Sequence, residues 1–272
     1  MLALARSTHP APTLGVTLIA AVLGVASGLE PWRVAVLAAV ILFNQLSVGL
    51  SNDWLDAPRD RRVGRTDKPI ATGEVPERVA RAWAFGTAAA SILTSLALGW
   101  PAAVANLVFL GAGWAYNLGL KSTPVSVLPY ALGFGALPFV VTLSRPDPAA
   151  ATWWAAAAGA LLGVAAHFAN VIPDLEDDRA TGVRGLPHRI GAQASGGVVA
   201  VALAAASLLL VLGPGDPDPL RLAGLGLSLA IAVACAALVV RRSSSRAAFL
   251  LTIAAALVAV LLLLGSGTRV LA

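Results

Sequence analysis

Apolar segments long enough to cross a bilayer alternate with short polar segments along almost the whole chain. Each is 18 residues or longer, and a helix of that length, rising 1.5 Å per residue, spans most of the ~30 Å hydrocarbon layer. The second and sixth segments are expected to continue as helix past the membrane edge. The pattern predicts nine transmembrane helices, at about 12–29, 33–51, 79–99, 102–119, 124–143, 151–172, 191–212, 219–240 and 247–264.

Composition supports a membrane protein. Hydrophobic residues make up 58% and charged residues 12% of the 272 residues, and the mean hydropathy is +0.81. An average soluble domain has roughly 25% charged residues. No stretch of soluble character is left between the apolar segments, so we expect one all-α, polytopic membrane domain over residues 1–272. The single cysteine, Cys235, excludes an intrachain disulfide and a cysteine-cluster metal site.

The basic residues are distributed unequally between the two sides of the predicted helices. With the N-terminus inside, 15 of the 19 lysines and arginines fall on that side, and only Arg33, Arg145, Arg221 and Arg269 fall on the other. Positive residues favour the cytoplasmic side of a membrane. We therefore expect a multi-pass protein of the plasma or inner membrane, with its N-terminus in the cytoplasm and its C-terminus outside. The net charge of +5 then reflects topology, and nucleic-acid binding is not expected.

Two acidic segments, residues 52–60 and 170–178, repeat one another at an offset of 118 residues. Seven of 22 aligned positions are identical: Asn52 and Asn170, Asp56 and Asp174, Asp60 and Asp178, Arg61 and Arg179, Gly64 and Gly182, Pro69 and Pro187, Gly73 and Gly191. The offset spans four predicted helices. It predicts two parallel four-helix repeats, about 12–119 and 124–240, with an added helix at about 247–264. Such repeats would bring both acidic segments to the interface between the halves, on the cytoplasmic side.

The acidic residues have the spacing of a metal site. Carboxylates beside a membrane are costly and indicate function. Asn52, Asp56 and Asp60 are spaced i, i+4, i+8, which projects them from one helix face, and the second segment repeats the i, i+4 spacing. Like charges repel unless cations neutralise them, and hard oxygen ligands favour Mg²⁺, which commonly also binds substrate phosphate. The candidate metal ligands are Asp53, Asp56, Asp60, Asp174 and Asp178.

These segments resemble the signatures of the UbiA superfamily of intramembrane prenyltransferases. The family's NDxxDxxxD motif is matched by Asn52, Asp53, Asp56 and Asp60, and its DxxxD motif with a following glycine is matched by Asp174, Asp178 and Gly182. Residues 67–73 resemble the family's RPxxSG region, with Lys68 where arginine is usual. Tyr116 and Lys121 resemble its tyrosine and basic pair, although Ser122 replaces the usual second basic residue. The resemblance covers essentially the whole chain.

The resemblance implies an all-helical bundle around a central cavity, two Mg²⁺ ions between the acidic segments, and an isoprenyl diphosphate as substrate. Breaking the allylic C–O bond leaves negative charge on the diphosphate, which metal ions and fixed cations stabilise. The catalytic residues are then the five aspartates and Asn52, which would orient a metal-bound group or the acceptor. The residues assigned to the diphosphate are Lys68, Lys121, Tyr116, Arg61, Arg179 and Asn170.

The sequence also predicts structural roles for prolines, histidines and three further acidic residues. Pro58 and Pro173 should each kink or end the helix in which they lie. His9 and His188 fall in polar segments and are expected to be solvated. His167, on the sixth predicted helix, is expected to make a hydrogen bond between packed helices. The acids expected to form solvated ion pairs are Asp67, Glu74 and Glu77.

Three functions fit this sequence to different degrees. The first is transfer of a prenyl group to a small lipophilic acceptor, such as an aromatic ring, within the lipid bilayer. The second is a terpene synthase of the same fold, in which the prenyl cation attacks its own double bonds without an acceptor. The third, a cation transporter or channel, is disfavoured because transporters hold ionisable residues near the midplane, whereas these acids lie at one membrane edge. The sequence determines neither the acceptor, the prenyl length nor the oligomeric state.

Overall fold

The computed structural model describes residues 2–180, 182–215 and 219–240, and within these ranges the chain is helical with connecting loops and without strands. Two of the helices, α1 and α8, are short. The helices are α1 Leu2–Arg6, α2 Pro10–Ala26, α3 Pro31–Arg62, α4 Glu77–Ser95, α5 Trp100–Leu118, α6 Leu128–Thr142, α7 Trp153–Val171, α8 Leu175–Ala180, α9 Leu186–Leu212 and α10 Pro219–Val240.

The long helices follow the predicted apolar segments closely. Eight of the nine segments coincide with α2–α7, α9 and α10, with ends that differ by at most about five residues, except that α3 continues past its segment to Arg62, as expected for the second helix. Three stretches are long and apolar enough to cross a membrane by themselves: Pro31–Arg62, Trp153–Asp174 and Leu186–Leu212. Together with the shorter apolar helices, they make this a membrane protein. The ninth segment, 247–264, lies outside the described residues, so the count of nine stays a prediction.

Proline starts several of these helices. Pro10, Pro31, Pro101, Pro129 and Pro187 lie in the first or second position of α2, α3, α5, α6 and α9. The first turn of a helix has no internal partner for its N–H groups, so proline costs nothing there and presets φ. These prolines mark the helix starts in the sequence.

The two prolines of the acidic segments behave differently. Helix α3 passes Pro58 and ends only at Arg62, so of the two expected effects, a kink or an end, Pro58 does not end the helix. Pro58 lies in the polar last turns of α3, where the one missing hydrogen bond is tolerated. Pro173 does end its helix, as expected: α7 stops at Val171, a short 3₁₀ turn covers Ile172–Asp174, and α8 follows.

Helices adjacent in sequence are adjacent in space. Helices α2 to α5 pack consecutively, α6, α7, α9 and α10 pack consecutively, and α5 and α2 both contact α6. The repeat relation between these two groups stays a prediction. Glycines allow the closest approach: a Cβ on Gly159 or Gly163 of α7 would lie 2.4 Å from the carbonyl oxygen of Phe134 or Tyr130 on α6. Small residues at such contacts let membrane helices pack backbone to backbone.

Both acidic segments lie at one end of the bundle, together with the N-terminus. A Cβ on Gly49 of α3 would lie 2.6 Å from the carbonyl oxygen of Thr8, so residues 7–9 pack against the end of α3 that carries the aspartates. We refer to this end as the acidic end. Its location on the cytoplasmic side stays a prediction from the distribution of charge.

Candidate active site

A cavity of about 840 Å³ extends along the inside of the bundle from the acidic end. Its walls come mainly from α2, α3, α5, α6 and α7. Charged side chains line the acidic end, while the remainder is lined mostly by aliphatic, aromatic and glycine residues. A deep, largely apolar pocket with a few convergent polar groups is the usual form of a small-molecule site. The cavity is therefore the candidate active site.

Helix α3 aims three aspartates at the acidic end. Asp53, Asp56 and Asp60 are spaced by three and four residues and share one helix face, as the sequence predicted. All three are buried, with at most 7% of each residue exposed, and all three line the cavity. Burying three carboxylates together is costly unless each has a cationic partner.

The first of these aspartates is held by two cationic or potentially cationic side chains. Lys68 Nζ lies 2.5 Å from Asp53 Oδ1, and His9 Nε2 lies 2.7 Å from the same oxygen. Asn52 Nδ2 donates a longer hydrogen bond to it, at 3.4 Å. Lys68 therefore reaches the aspartate motif from the loop after α3, 15 residues further along the chain.

Arg59 forms ion pairs with both acidic segments. Its guanidinium lies 3.1 Å from Asp56 Oδ2, 3.6 Å from Asp60 Oδ1 and, across the cavity, 3.6 Å from Asp178 Oδ1. Lys121 forms an ion pair with the other oxygen of Asp56. One guanidinium thus touches carboxylates from both segments, and the two segments face each other as the repeat predicted.

The second segment is partly exposed. Asp174 has 45% of its side chain exposed and lies 3.5 Å from Arg65 Nη1. Arg65 also forms a bidentate pair with Asp67, at 2.8 and 2.9 Å, and these hydrogen bonds lower the pKa of Asp67 to about 2. Asp178 is more enclosed, and its burial raises its pKa. Asp67 thus forms the ion pair that was expected of it, and its partner also reaches the site.

Two predicted diphosphate ligands lie away from the cavity. Arg61 pairs with Glu77 on the surface, where both side chains are more than 40% exposed. Arg179 donates to the carbonyl oxygen of His188 at 2.9 Å. Neither arginine lines the cavity. Their placement gives no support to the predicted role, although the repeat relates them to one another.

Arg59, Arg65 and two histidines line the acidic end instead. The sequence interpretation missed all four. His188 was expected to be solvated but is only 7% exposed, with Nε2 3.2 Å from Asp178 Oδ2. His9 was also expected to be solvated, and it holds Asp53 from a left-handed backbone conformation with φ of 53°. A signal was available for Arg59, which is i+3 from Asp56 and so on its helix face.

An aromatic group lies directly below the charged end. The rings of Tyr116 and Tyr130 are 5.0 Å apart, both line the cavity, and the Tyr130 side chain forms a hydrogen bond with Asn170. His167 packs beside them, with its centroid 5.1 Å from that of Tyr130. Its Nε2 lies 3.1 Å from Ser126 Oγ, so His167 bonds to the turn before α6 and not, as expected, to a packed helix. The predicted substrate residues Tyr116 and Asn170 therefore share this layer.

The donor set at the acidic end fits a hard divalent cation in kind. Five carboxylates from two segments line one end of the cavity, and no cysteine lies among the residues that line it. In the part of the chain that is described, no three acidic or histidine side chains converge on one point, because lysines and arginines lie between the carboxylates. Mg²⁺ does not need three, since one or two carboxylates and substrate phosphate usually hold it. The residues thus fit Mg²⁺ bound together with a phosphate ligand.

Sequence comparison finds a family model and curated relatives that match most of this chain. The sequence model of the UbiA prenyltransferase family matches residues 13–254. The 4-hydroxybenzoate octaprenyltransferase of Pseudoalteromonas atlantica is 30% identical over 177 residues, 64% of this chain and 60% of that protein. The digeranylgeranylglyceryl phosphate synthase of Methanoregula boonei is 32% identical over 201 residues, 68% of this chain and 67% of that protein. The aligned part thus spans less than two thirds of the first of these relatives.

Solved structures share the fold along nearly the whole length. The apo structure of a UbiA homolog from Aeropyrum pernix K1 has a TM-score of 0.76 at 18% identity, covering 91% of this chain and 94% of that one. A UbiA homolog from Archaeoglobus fulgidus bound to GPP and Mg²⁺ has a TM-score of 0.72, also at 18% identity, covering 95% and 99%. At this identity the likeness extends to the fold alone.

Proposed function

The chain belongs to the UbiA prenyltransferase family, and from this premise we propose that it is a Mg²⁺-dependent membrane enzyme that ionises an isoprenyl diphosphate and transfers the prenyl group to a small lipophilic acceptor. The observation that carries the proposal is the contact of Arg59 with both acidic segments at the charged end of an apolar cavity. A diphosphate needs the charged end, and a prenyl chain needs the apolar remainder. The homolog bound to GPP and Mg²⁺ supports the same ligand class.

In this proposal, five aspartates would hold two Mg²⁺ ions. They are Asp53, Asp56 and Asp60 from α3, with Asp174 and Asp178 opposite them. When bound, the metal supplies positive charge to the oxygens of the departing diphosphate. The aspartates contribute the fixed negative charge that keeps divalent cations at this end of the cavity. The burial of the three aspartates on α3 removes competing water and strengthens the charge interactions there.

The lysines and arginines of the acidic end form the second part of the leaving-group site. Lys68, Lys121 and Arg59 are at present paired with carboxylates. A diphosphate brought in with divalent cations would give these side chains phosphate oxygens as alternative partners, since charged hydrogen bonds to phosphate are strong. Once paired with the bound diphosphate, these donors would stabilise the negative charge that develops on it as the C–O bond breaks.

The cavity below the charged end suits the prenyl cation. When the allylic C–O bond breaks, its electron pair stays on the diphosphate oxygen and the prenyl carbon becomes cationic. Tyr116 and Tyr130 present aromatic rings at this level, and ring faces attract cations. The apolar walls exclude the water that would capture the cation. The acceptor then forms a bond to the prenyl carbon and loses a proton.

Turnover by purified protein in lipid nanodiscs tests the proposal. With Mg²⁺, prenyl diphosphates of C10, C15 and C20 and an extract that contains acceptors, we expect diphosphate release and a prenylated product. Replacing Asp56 or Asp174 by Ala should abolish both, while the surface variant Glu77→Gln should retain them. Substantial activity in both aspartate variants would refute the metal site. Hydrocarbon formed without an acceptor would instead identify a terpene synthase, and ion flux with intact diphosphate a transporter.

A further inference from the structure

The apolar part of the cavity has a definite depth. It begins below the charged end at Thr13, Tyr130 and Asn170, and at the far end it is lined by Ser27, Thr142 and Ala155. Three helices connect these two levels. At 1.5 Å per residue, the path is about 21 Å along α2, about 18 Å along α6 and about 22 Å along α7. Three independent helices thus agree on a depth near 20 Å.

The walls along this path are apolar and continuous. Val16, Ile19 and Leu23 follow one another at spacings of three and four residues on α2, and Leu137 and Val141 do the same on α6. Leu162 lines the cavity on α7. No charged side chain lines the cavity along this path within the described residues. A ligand that fills this part must therefore be a hydrocarbon chain.

The far end is built to stop such a chain. Ser27 and Thr142 are at most 2% exposed, and within the described residues neither hydroxyl has a hydrogen-bond partner. Beyond them, Arg33 Nη1 donates to the carbonyl oxygen of Ser144 at 2.9 Å, which ties the start of α3 to the segment after α6. The buried Trp154 ring packs at the same end, against Gly213. A longer chain would have to displace these contacts.

This depth can be converted into isoprene units. An extended polypeptide advances about 3.4 Å over three bonds, so an extended chain gains about 1.1 Å per bond. An isoprene unit adds four bonds to the main chain and is therefore about 4.5 to 5 Å long. A depth near 20 Å, from the helix rise, holds about four units. We propose that the prenyl donor is a C20 prenyl diphosphate, bound with its fourth unit between Ser27 and Thr142.

The volume of the cavity agrees with this length. A carbon with its hydrogens occupies about the 30 Å³ of a water molecule, so twenty carbons need about 600 Å³. The whole cavity, charged end included, is about 840 Å³. A C20 chain leaves room for the diphosphate and part of an acceptor, whereas a C30 chain of about 900 Å³ exceeds the whole space. The inference rests on the proposed function, because it takes the charged end as the diphosphate site.

Binding of non-hydrolysable prenyl thiolodiphosphates measures the length without an acceptor. With Mg²⁺ and protein in nanodiscs, affinity should rise at least about fivefold per unit from C10 to C20, because each added carbon is buried. It should not rise further from C20 to C30. Equal affinity for C10 and C20, or tighter binding of C30 than of C20, would overturn the assignment of length. Failure of every length to bind would instead refute the proposed function.

Variants at the far end give a second test. Ala155→Phe places a ring in the cavity from α7, and Val141→Phe does so from α6 at a similar depth. Each should lower the ratio of C20 to C15 affinity at least tenfold. The matched control Ala157→Phe, on the same helix but outside the cavity lining, should leave the ratio unchanged. Melting temperatures show which variants fold. An unchanged ratio in a folded variant at either cavity position would overturn the proposal.

Discussion

Arg59 Nη1 lies 3.6 Å from Asp178 Oδ1, so a side chain of α3 contacts a carboxylate of α8 that follows it by 119 residues. The contact fixes the relation between the two acidic segments, because the same guanidinium also touches Asp56 and Asp60. Three groups of the first segment and one of the second therefore form one charged site.

Replacing Arg59 should impair the chemical step. In Arg59→Ala the cavity loses the guanidinium that both segments share, and the kcat for diphosphate release should fall about 10²-fold, the usual cost of one transition-state donor. Arg59→Lys should recover only part of the rate, since an ammonium cannot span two segments in a planar fork. Steady-state kinetics measure this. Arg62→Ala is the control, because Arg62 is exposed and donates to the carbonyl oxygen of Pro58 in its own helix. Equal losses in the two alanine variants would contradict a specific role.

Removing the divalent cation should abolish turnover. The aspartates should determine the Mg²⁺ concentration at which the rate is half-maximal. Asp60→Asn and Asp178→Asn each remove one negative charge from the proposed site without a large change of shape. We expect the Mg²⁺ concentration for half-maximal rate to rise about 10- to 100-fold in each. Titration of Mg²⁺ after chelation measures it. Glu74→Gln, at an exposed carboxylate that pairs with Arg6 and accepts a hydrogen bond from Thr72, should keep the wild-type curve. A rate independent of Mg²⁺ would refute the metal assignment.

His9 offers a test that separates backbone strain from the role of its side chain. Both His9→Ala and His9→Gly lose the contact with Asp53, so the KM for the prenyl diphosphate should rise severalfold in both. The backbone at this position is left-handed, with φ of 53°, which glycine adopts without the penalty of about 1 kcal/mol that alanine incurs. Thermal unfolding should therefore give His9→Gly the higher Tm. A higher Tm for His9→Ala, or an unchanged KM in both, would contradict this account.

Replacing glycine by alanine should lower stability where α6 and α7 pack closely and raise it where a helix has free space beside the glycine. In Gly163→Ala the new Cβ would lie 2.4 Å from the carbonyl oxygen of Tyr130, so the helices must separate, at a cost of about 1–3 kcal/mol. In Gly86→Ala, on α4, the Cβ meets no atom within 4 Å, and alanine should stabilise the helix by about 0.5–1 kcal/mol. Melting temperatures in one detergent compare them. Similar values for both variants would show that the helices do not pack this closely.

The sequence by itself determined the helices and the class of the site. Hydrophobicity over 18 or more residues is a local property, and it located eight of the described helices to within about five residues, apart from the polar C-terminal end of α3. The i, i+4 spacing of aspartates is local as well, and it placed Asp53, Asp56 and Asp60 on one face. The matching motifs of the two segments identified the family that the comparisons then established.

The tertiary structure alone decided which neighbours of the aspartates join the site and how deep the cavity is. Arg61 is two residues from Arg59, and at about 100° per residue it points to the opposite side of α3, toward Glu77. His9, between α1 and α2, and His188, in the first turn of α9, reach the aspartates only because these parts of the chain meet α3 and α8. The depth of the apolar part follows from the packing of α2, α6 and α7 around a common space. Such relations depend on how helices rotate and pack against each other, which the order of residues within one helix does not specify.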